Sequence, residues 1–321
     1  MPAKTPFCWV CTEAKATRES QGQRDKPILI ADRPAQILCA DIMGPFPVPT
    51  MGGARYCLII VDIFSRRIFP SMLVSPGDFL EIFRDLVFHL EAFFARERVV
   101  AQLHTDGATY FQSNRLKEFC RQRGIMQTSS APFTQALNGV AERNIRTCLE
   151  MCRAMMVQSK LPRRLFGEAL VYASFILNVL PKKSGADESR LDAWYGRRLG
   201  RHDRIRPFGC AAWVHDVYPQ KDKLDSKNML CVLVGYEDRS HCYRLATLPH
   251  FSIIRSAHVT FNENLFPCAE LNSNTPNPDI MAATTNAPIE NIDPEDYPQS
   301  RRSSRGWQPS EAALLNIPDK N

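Results

Sequence analysis

The order in which apolar segments change their period constrains this chain more than any other feature. Ile37–Ile42, Tyr56–Val61 and Ile68–Leu73 are short apolar runs, separated by the Gly44-Pro45 stop and by an Asp62–Arg67 turn. They predict three strands, the last two as a hairpin. From Asp78 to Arg96 the period becomes helical, with Phe79, Ile82, Phe83, Leu86, Leu90 and Phe93 on one stripe. Val99–His104 reads as a fourth strand. Arg115–Arg123 reads as a helix that Ser113 caps and Gly124 stops, and Ile125–Thr128 as a short fifth strand. Asn138–Ser159 is a long helix, and Pro162 opens another that reaches about Leu180. Such an order predicts an α/β fold, a mixed sheet with helices on both faces.

Pro207–Phe266 follows a different rule. Cys210–Val214, Cys231–Val234, Cys242–Leu245, Phe251–Arg255 and His258–Phe261 are short segments parted by turn residues such as Gly235, Pro249 and His250, which predicts a small all-β barrel. The last 52 residues hold seven prolines among Asn, Thr and Ser, the composition of a disordered linker. No run of about 18 apolar residues occurs, so no membrane span is expected; the apolar stretch Leu170–Leu180 is broken by Ser174 and Asn178. The first ten residues lack the apolar core of a signal peptide. Eleven cysteines without regular spacing predict free thiols. The formal net charge of +6 divides into +10 before Glu270 and −4 from there on, so a basic body precedes an acidic tail and a polyanionic partner is expected.

Three acids fall where strands end and a helix begins. Asp41 lies near the end of the first strand, Asp106 just past the fourth, and Glu142 one turn into the long helix, with 35 residues between the last two. If the first and fourth strands are neighbours, their ends bring Asp41 and Asp106 together, and a helix across that edge presents Glu142. Three carboxylates at one point repel one another, so the arrangement suits cations. Magnesium accepts a few carboxylates together with water and phosphate oxygens. Two such ions about 3.5–4 Å apart can activate a nucleophile and stabilise the leaving oxygen of a phosphodiester.

Asp41, Asp106 and Glu142 resemble the D,D-35-E triad of retroviral and retrotransposon integrases. Further stretches resemble the copia-type retrotransposon branch. They are Asp41-Ile42-Met43-Gly44-Pro45, Val61-Asp62-Ile63-Phe64-Ser65-Arg66, Pro132 through Arg143, Ala193-Trp194-Tyr195-Gly196 and Pro207-Phe208-Gly209-Cys210. Leu224-Asp225, Leu233-Val234-Gly235-Tyr236 and His258-Val259-Thr260-Phe261 fit the SH3-like domain of that branch, and Arg301 through Arg305 looks like its following linker. The resemblance implies an RNase H-like mixed five-stranded sheet at 31–195, a basic linker at 196–206, an SH3-like β domain at 207–267 and an acidic, proline-rich disordered linker at 268–321. Residues 1–30 would be the remnant of a zinc-binding module. It further implies a polynucleotidyl transferase performing DNA integration with two Mg²⁺ or Mn²⁺. Asp41 would bridge both ions, Asp106 would complete one site and Glu142 the other. DNA, as element ends and target, is the implied partner, with a homo-oligomer as the working form. The nucleus is the implied site of action, with a cytoplasmic particle beside it.

Other residues carry two readings each. Arg146 lies one turn beyond Glu142 and either meets DNA phosphate or is solvated; Arg143 belongs with it among the DNA-facing candidates. Gln135 and Asn138 sit either in the family's segment that contacts the DNA end or in a helix-start turn. Arg197, Arg198 and Arg201 belong to a five-arginine run with Arg204 and Arg206, suited to bidentate phosphate contact. Asp62 competes with Asp41 as a strand acid, but structural capping of its turn is the preferred role. His104 is expected to be packed. Cys8 and Cys11 have zinc-ligand spacing, yet residues 1–7 contain no histidine, so an empty half-site is expected and zinc is not. Where the family has Asp-Asn-Gly, this chain has Asp106-Gly107-Ala108, with Tyr110 in place of an acid, so the loop carrying Asp106 is expected to sit differently. The alternative function is a decayed or co-opted integrase-derived module that binds DNA without catalysis.

Overall fold

The computed structural model of the chain describes residues 30–129, 139–181, 187–199, 205–215, 228–237 and 242–271. Its first sheet holds β1 (Ile37–Met43), β2 (Tyr56–Asp62), β3 (Ile68–Leu73), β4 (Gln102–Thr105) and β5 (Met126–Ser129) in the order β3-β2-β1-β4-β5. Turns join β1, β2 and β3, which pair antiparallel. Helix α1 (Phe79–Phe93) precedes β4 and α2 (Asn114–Arg123) precedes β5, and these crossovers let β4 and β5 run parallel to β1. Three helices follow: α3 (Gly139–Ser159), α4 (Phe166–Val179) and α5 (Arg190–Tyr195). The expected mixed five-stranded sheet with flanking helices is thus observed.

Side chains alternate across the sheet and split the core in two. Leu58 and Ile60 of β2 join Leu38 and Ala40 of β1 on the face covered by Phe79, Phe83, Leu86 and Leu90 of α1 and by Leu116 and Phe119 of α2. Cys57, Ile59 and Val61 turn to the other face, against Ile145, Cys148 and Cys152 of α3 and Leu170, Tyr172 and Ala173 of α4. Ser113 and Gly124 bound α2 as the sequence indicates: the Ser113 hydroxyl accepts the Leu116 N–H, and Gly124 takes φ 68°.

The second sheet is antiparallel: β6 (Ala211–His215), β7 (Asn228–Tyr236), β8 (Tyr243–Thr247), β9 (Ile253–Ser256) and β10 (Val259–Asn262), in the order β10-β6-β7-β8-β9. β7, the longest described strand, shifts register against β8 between Leu233 and Gly235. This is the expected small all-β part; among the described residues no ladder joins β9 to β10. A short helix, α6 (Pro267–Leu271), follows where a linker was expected.

The two sheets share one core. Ala211, Leu230, Val232, Val234, Ala246 and Leu248 pack in the same cluster as α3, α4 and β2. Tyr172 of α4 stacks on Tyr236 of β7 at 5.5 Å, and its hydroxyl donates to the Arg206 carbonyl. Glu168 of α4 pairs with Arg244 of β8 at 2.6 Å.

Candidate active site

Strand parity places the first acid. Ile37 and Cys39 face Ala141 of α3, whereas Leu38 and Ala40 face α1. Asp41, two residues beyond Cys39, therefore lies on the α3 side, where the chain turns polar. The parallel register pairs Ala40 with Thr105, so Asp41 and Asp106 leave the sheet at the same edge. Ala141 packs on β1, and this brings the next residue, Glu142, over that edge.

The electrostatics agree with this placement. The Asp41 carboxyl is pushed up to about 7, first by burial and then by the charge of Asp106, with Glu142 adding a smaller push and a hydrogen bond from the Ile42 N–H opposing them. Asp106 is half-buried and Glu142 exposed. The Asp106 carboxylate accepts the Ala108 N–H at 3.2 Å, and Gln112 Nε2 donates to the Gly107 carbonyl at 3.1 Å. Ala108 sits at φ −65°, ψ 147°, an ordinary extended conformation. The exchange of glycine for alanine at this position thus imposes no positive φ on the loop.

Sequence reasoning noted Tyr110 only as a departure. The structure brings its hydroxyl into the field of both aspartates: burial first, then Asp106 and Asp41, push it up to about 12. The neighbouring Phe111 is buried and packs edge-on against Phe79 at 4.7 Å, anchoring the turn Thr109–Gln112 that carries Tyr110. The spacing of four residues from Asp106 was the available signal.

Among the described residues, no three His, Cys, Asp or Glu side chains form a group able to hold a metal ion. The three acids share a field without closing on a common point. The donor set nevertheless fits a hard cation in chemistry, being all carboxylate, with repulsion at Asp41 that a cation would relieve.

Asp62 has a structural place. It is fully buried, and its carboxylate accepts the Ala35 N–H at 2.9 Å, the Ser65 N–H at 2.7 Å and the Ser65 hydroxyl at 2.6 Å. His104 is buried with Nδ1 2.9 Å from Thr128 Oγ1, and burial lowers its pKa. Arg143 and Arg146 are exposed on α3 beside Glu142. Arg197 and Arg198 are exposed beyond α5, where Arg198 pairs with Asp187 at 3.2 Å. Arg206 is instead drawn to Glu263 at 3.2 Å. Gln135, Asn138, Arg201, Cys8 and Cys11 lie outside the described residues.

Two family models match the chain: the integrase core domain over residues 31–134 and the retroviral polymerase SH3-like domain over residues 210–274. A retrovirus-related Pol polyprotein from transposon TNT 1-94 of Nicotiana tabacum is 31% identical over 260 residues, which are 80% of this chain and 19% of that protein. One from transposon RE1 of Arabidopsis thaliana is 26% identical over 257 residues, 80% of this chain and 17% of that protein. The chain thus spans about a fifth of the length of these relatives. Among solved structures, the simian T-cell lymphotropic virus intasome in complex with PP2A regulatory subunit B56 gamma matches 71% of this chain and 78% of its own at 15% identity, TM-score 0.44. The HTLV-2 integrase catalytic core domain in complex with magnesium matches 51% of this chain and 99% of its own at 17% identity, TM-score 0.38.

Proposed function

Since the chain carries an integrase core domain followed by a retroviral polymerase SH3-like domain, as copia-type Pol polyproteins do, we propose that it performs divalent-metal-dependent DNA strand transfer through Asp41, Asp106 and Glu142. The observation that supports this reading is that Asp41 lies in the field of both Asp106 and Glu142. These carboxylates would hold two Mg²⁺ or Mn²⁺. When bound, such ions supply activation of an attacking oxygen and stabilisation of a leaving one.

The chain's own contribution is position. The central strand fixes Asp41, the loop bonded to Ala108 fixes Asp106, and the packing of Ala141 on β1 sets Glu142. The substrate is DNA, element ends and target, and Arg143, Arg146, Arg197 and Arg198 are the described residues proposed to meet its phosphates. In end processing water attacks phosphorus; in strand transfer a DNA 3′ hydroxyl does, and one phosphodiester bond is exchanged for another without a covalent enzyme intermediate. An oligomer is the proposed working form and the nucleus the proposed site of action.

Resolution of a branched DNA, the reverse of strand transfer, tests the reading. Turnover requiring Mg²⁺ or Mn²⁺ and lost in Glu142→Gln is the expected result. A second reading is DNA binding without catalysis, for which the exposed Arg143 and Arg146 would suffice without the acids. Folded protein that binds DNA but never resolves the branched substrate would establish it and overturn the first.

A further inference from the structure

Away from the carboxylates, the turn between β2 and β3 gathers positive charge that the fold leaves unbalanced. The three bonds to Asp62 fix that turn, and Arg66 sits in it at φ 68°. The Arg66 carbonyl accepts a hydrogen bond from Arg190 Nη1 at 3.2 Å, and the same nitrogen donates to Asn144 Oδ1 at 2.8 Å. Arg190 opens α5 and Asn144 lies on α3, so three elements meet at one corner that holds the Arg190 guanidinium and feels the Arg66 charge. The Arg190 pKa is lowered, first by burial and also by the charge of Arg66, although the Cys148 thiol opposes the shift.

Several arginines elsewhere in the molecule find acids. Arg84, Arg121, Arg123, Arg198, Arg206 and Arg244 each pair with a Glu or Asp. Among the described residues no carboxylate pairs with Arg66 or Arg190. Arg67, the next residue in the turn, has no acid either; its guanidinium lies 4.8 Å from the Phe69 ring and 4.9 Å from the Trp194 ring. Asp62, the nearest acid in sequence, has its oxygens engaged by Ala35 and Ser65.

A guanidinium offers five N–H donors in a planar fork. Among the described residues, packing engages only Nη1 of Arg190 and no side-chain donor of Arg66. Two partly buried like charges with spare forked donors suit one ligand chemistry best, a tetrahedral oxyanion with two or more free oxygens. We infer that Arg66 and Arg190 together bind one phosphate of a DNA backbone, at a site separate from the carboxylates. Asn144 follows Glu142 by two residues, about 200° around a helix of 3.6 residues per turn, so the phosphate lies across α3 from the reacting centre. There it fixes the register of the duplex, not the chemistry. The identity of the phosphate as DNA rests on the function proposed above; the anion site itself does not.

Two measurements on the full chain test this. The first compares melting in inorganic phosphate and in chloride at equal ionic strength. The second follows binding of a labelled DNA duplex against salt. Arg66→Gly removes one guanidinium while suiting the positive φ; Arg190→Gln keeps an N–H donor for Asn144. The expected result is stabilisation by phosphate in the wild type and in neither variant. Each variant should also flatten the slope of log K against log salt by about 0.9, one phosphate contact. Between 50 and 200 mM salt, a fourfold change, that slope makes the affinity loss about 3.5-fold smaller than in the wild type. The double variant should lose the same 0.9, because both arginines hold one phosphate. Unchanged stabilisation and slope in either variant overturn the site. Stabilisation lost in both variants, from a wild type that binds no DNA, would sustain the anion site and overturn both its DNA assignment and the proposed function.

Discussion

Glu168→Ala asks whether the two sheets unfold as one body. Glu168 on α4 meets Arg244 on β8 through Oε1···Nη2 at 2.6 Å and Oε2···Nε at 3.1 Å, with the two side chains 21% and 24% exposed. Arg244 keeps a second acid, Glu237, at 3.6 Å, but Glu237 also pairs with Arg255 at 2.8 Å. Orphaning one member of a fully buried ion pair costs ~3–5 kcal/mol. Partial exposure and the remaining Glu237 reduce this to about 2 kcal/mol. With a urea dependence of ~1–3 kcal/mol per molar, the midpoint should fall by about 1 M. Trp194 packs 5.3 Å from Phe69 of the first sheet, whereas Trp213 lies on β6 of the second, and the chain has only four tryptophans. Single-tryptophan versions of the chain therefore report each sheet by fluorescence. Because Val232, Val234 and Leu248 pack into the cluster that holds Ile59 and Tyr172, both probes should give one midpoint and move together. Separate midpoints, or a shift confined to Trp213, would refute the shared core.

Four other outcomes are expected. Gly209→Ala should lower stability by about 2–3 kcal/mol, because its φ is +81° and a Cβ there runs into the Ser159 side chain; thermal melting checks this. Asp41→Asn should abolish both branched-DNA turnover and the thermal shift on adding Mn²⁺. Asp62→Asn should keep both while losing roughly 1–3 kcal/mol of stability, since one buried donor loses its acceptor; equal loss of turnover in the two would merge their roles. Burial pushes the Cys39 and Cys210 thiols up to about 12, which leaves about one thiolate in a thousand at pH 9. Iodoacetamide at that pH should label the partly exposed Cys242 and spare both until the protein is unfolded; early labelling of Cys39 would contradict its packing.

Much of this architecture was readable from local patterns, because strands and helices announce themselves by period and by caps. Ser113 and Gly124 bounded α2 correctly since a side-chain cap and a left-handed stop act over one turn. Helix α5 escaped notice although Ser189 and Asp192 form a capping box and Gly196 closes it; its six residues are too few for a stripe. The shared core could not be read at all. It depends on Tyr172 meeting Tyr236 and Glu168 meeting Arg244, partners more than sixty residues apart with no common local pattern. The same holds for Arg66 and Arg190, which a sequence shows as two ordinary charges. For the acids the split is similar. Strand-end positions suggested that Asp41 and Asp106 meet, while Tyr110 joined them only through the fold of the turn after Asp106.

The alternation along β1 makes the site depend on count as much as on identity. Ile37, Cys39 and Asp41 share a side because even steps separate them. One residue inserted between Leu38 and Ala40 would turn the acid onto the side of α1 and bury it among phenylalanines, with every side chain still present. Two inserted residues would return it to the correct side, displaced by about 6.6 Å along the strand. Such a stretch should accept an apolar exchange of similar volume at Leu38 yet refuse any change of length. A single inserted residue there would silence the site as fully as the loss of the Asp41 carboxylate itself.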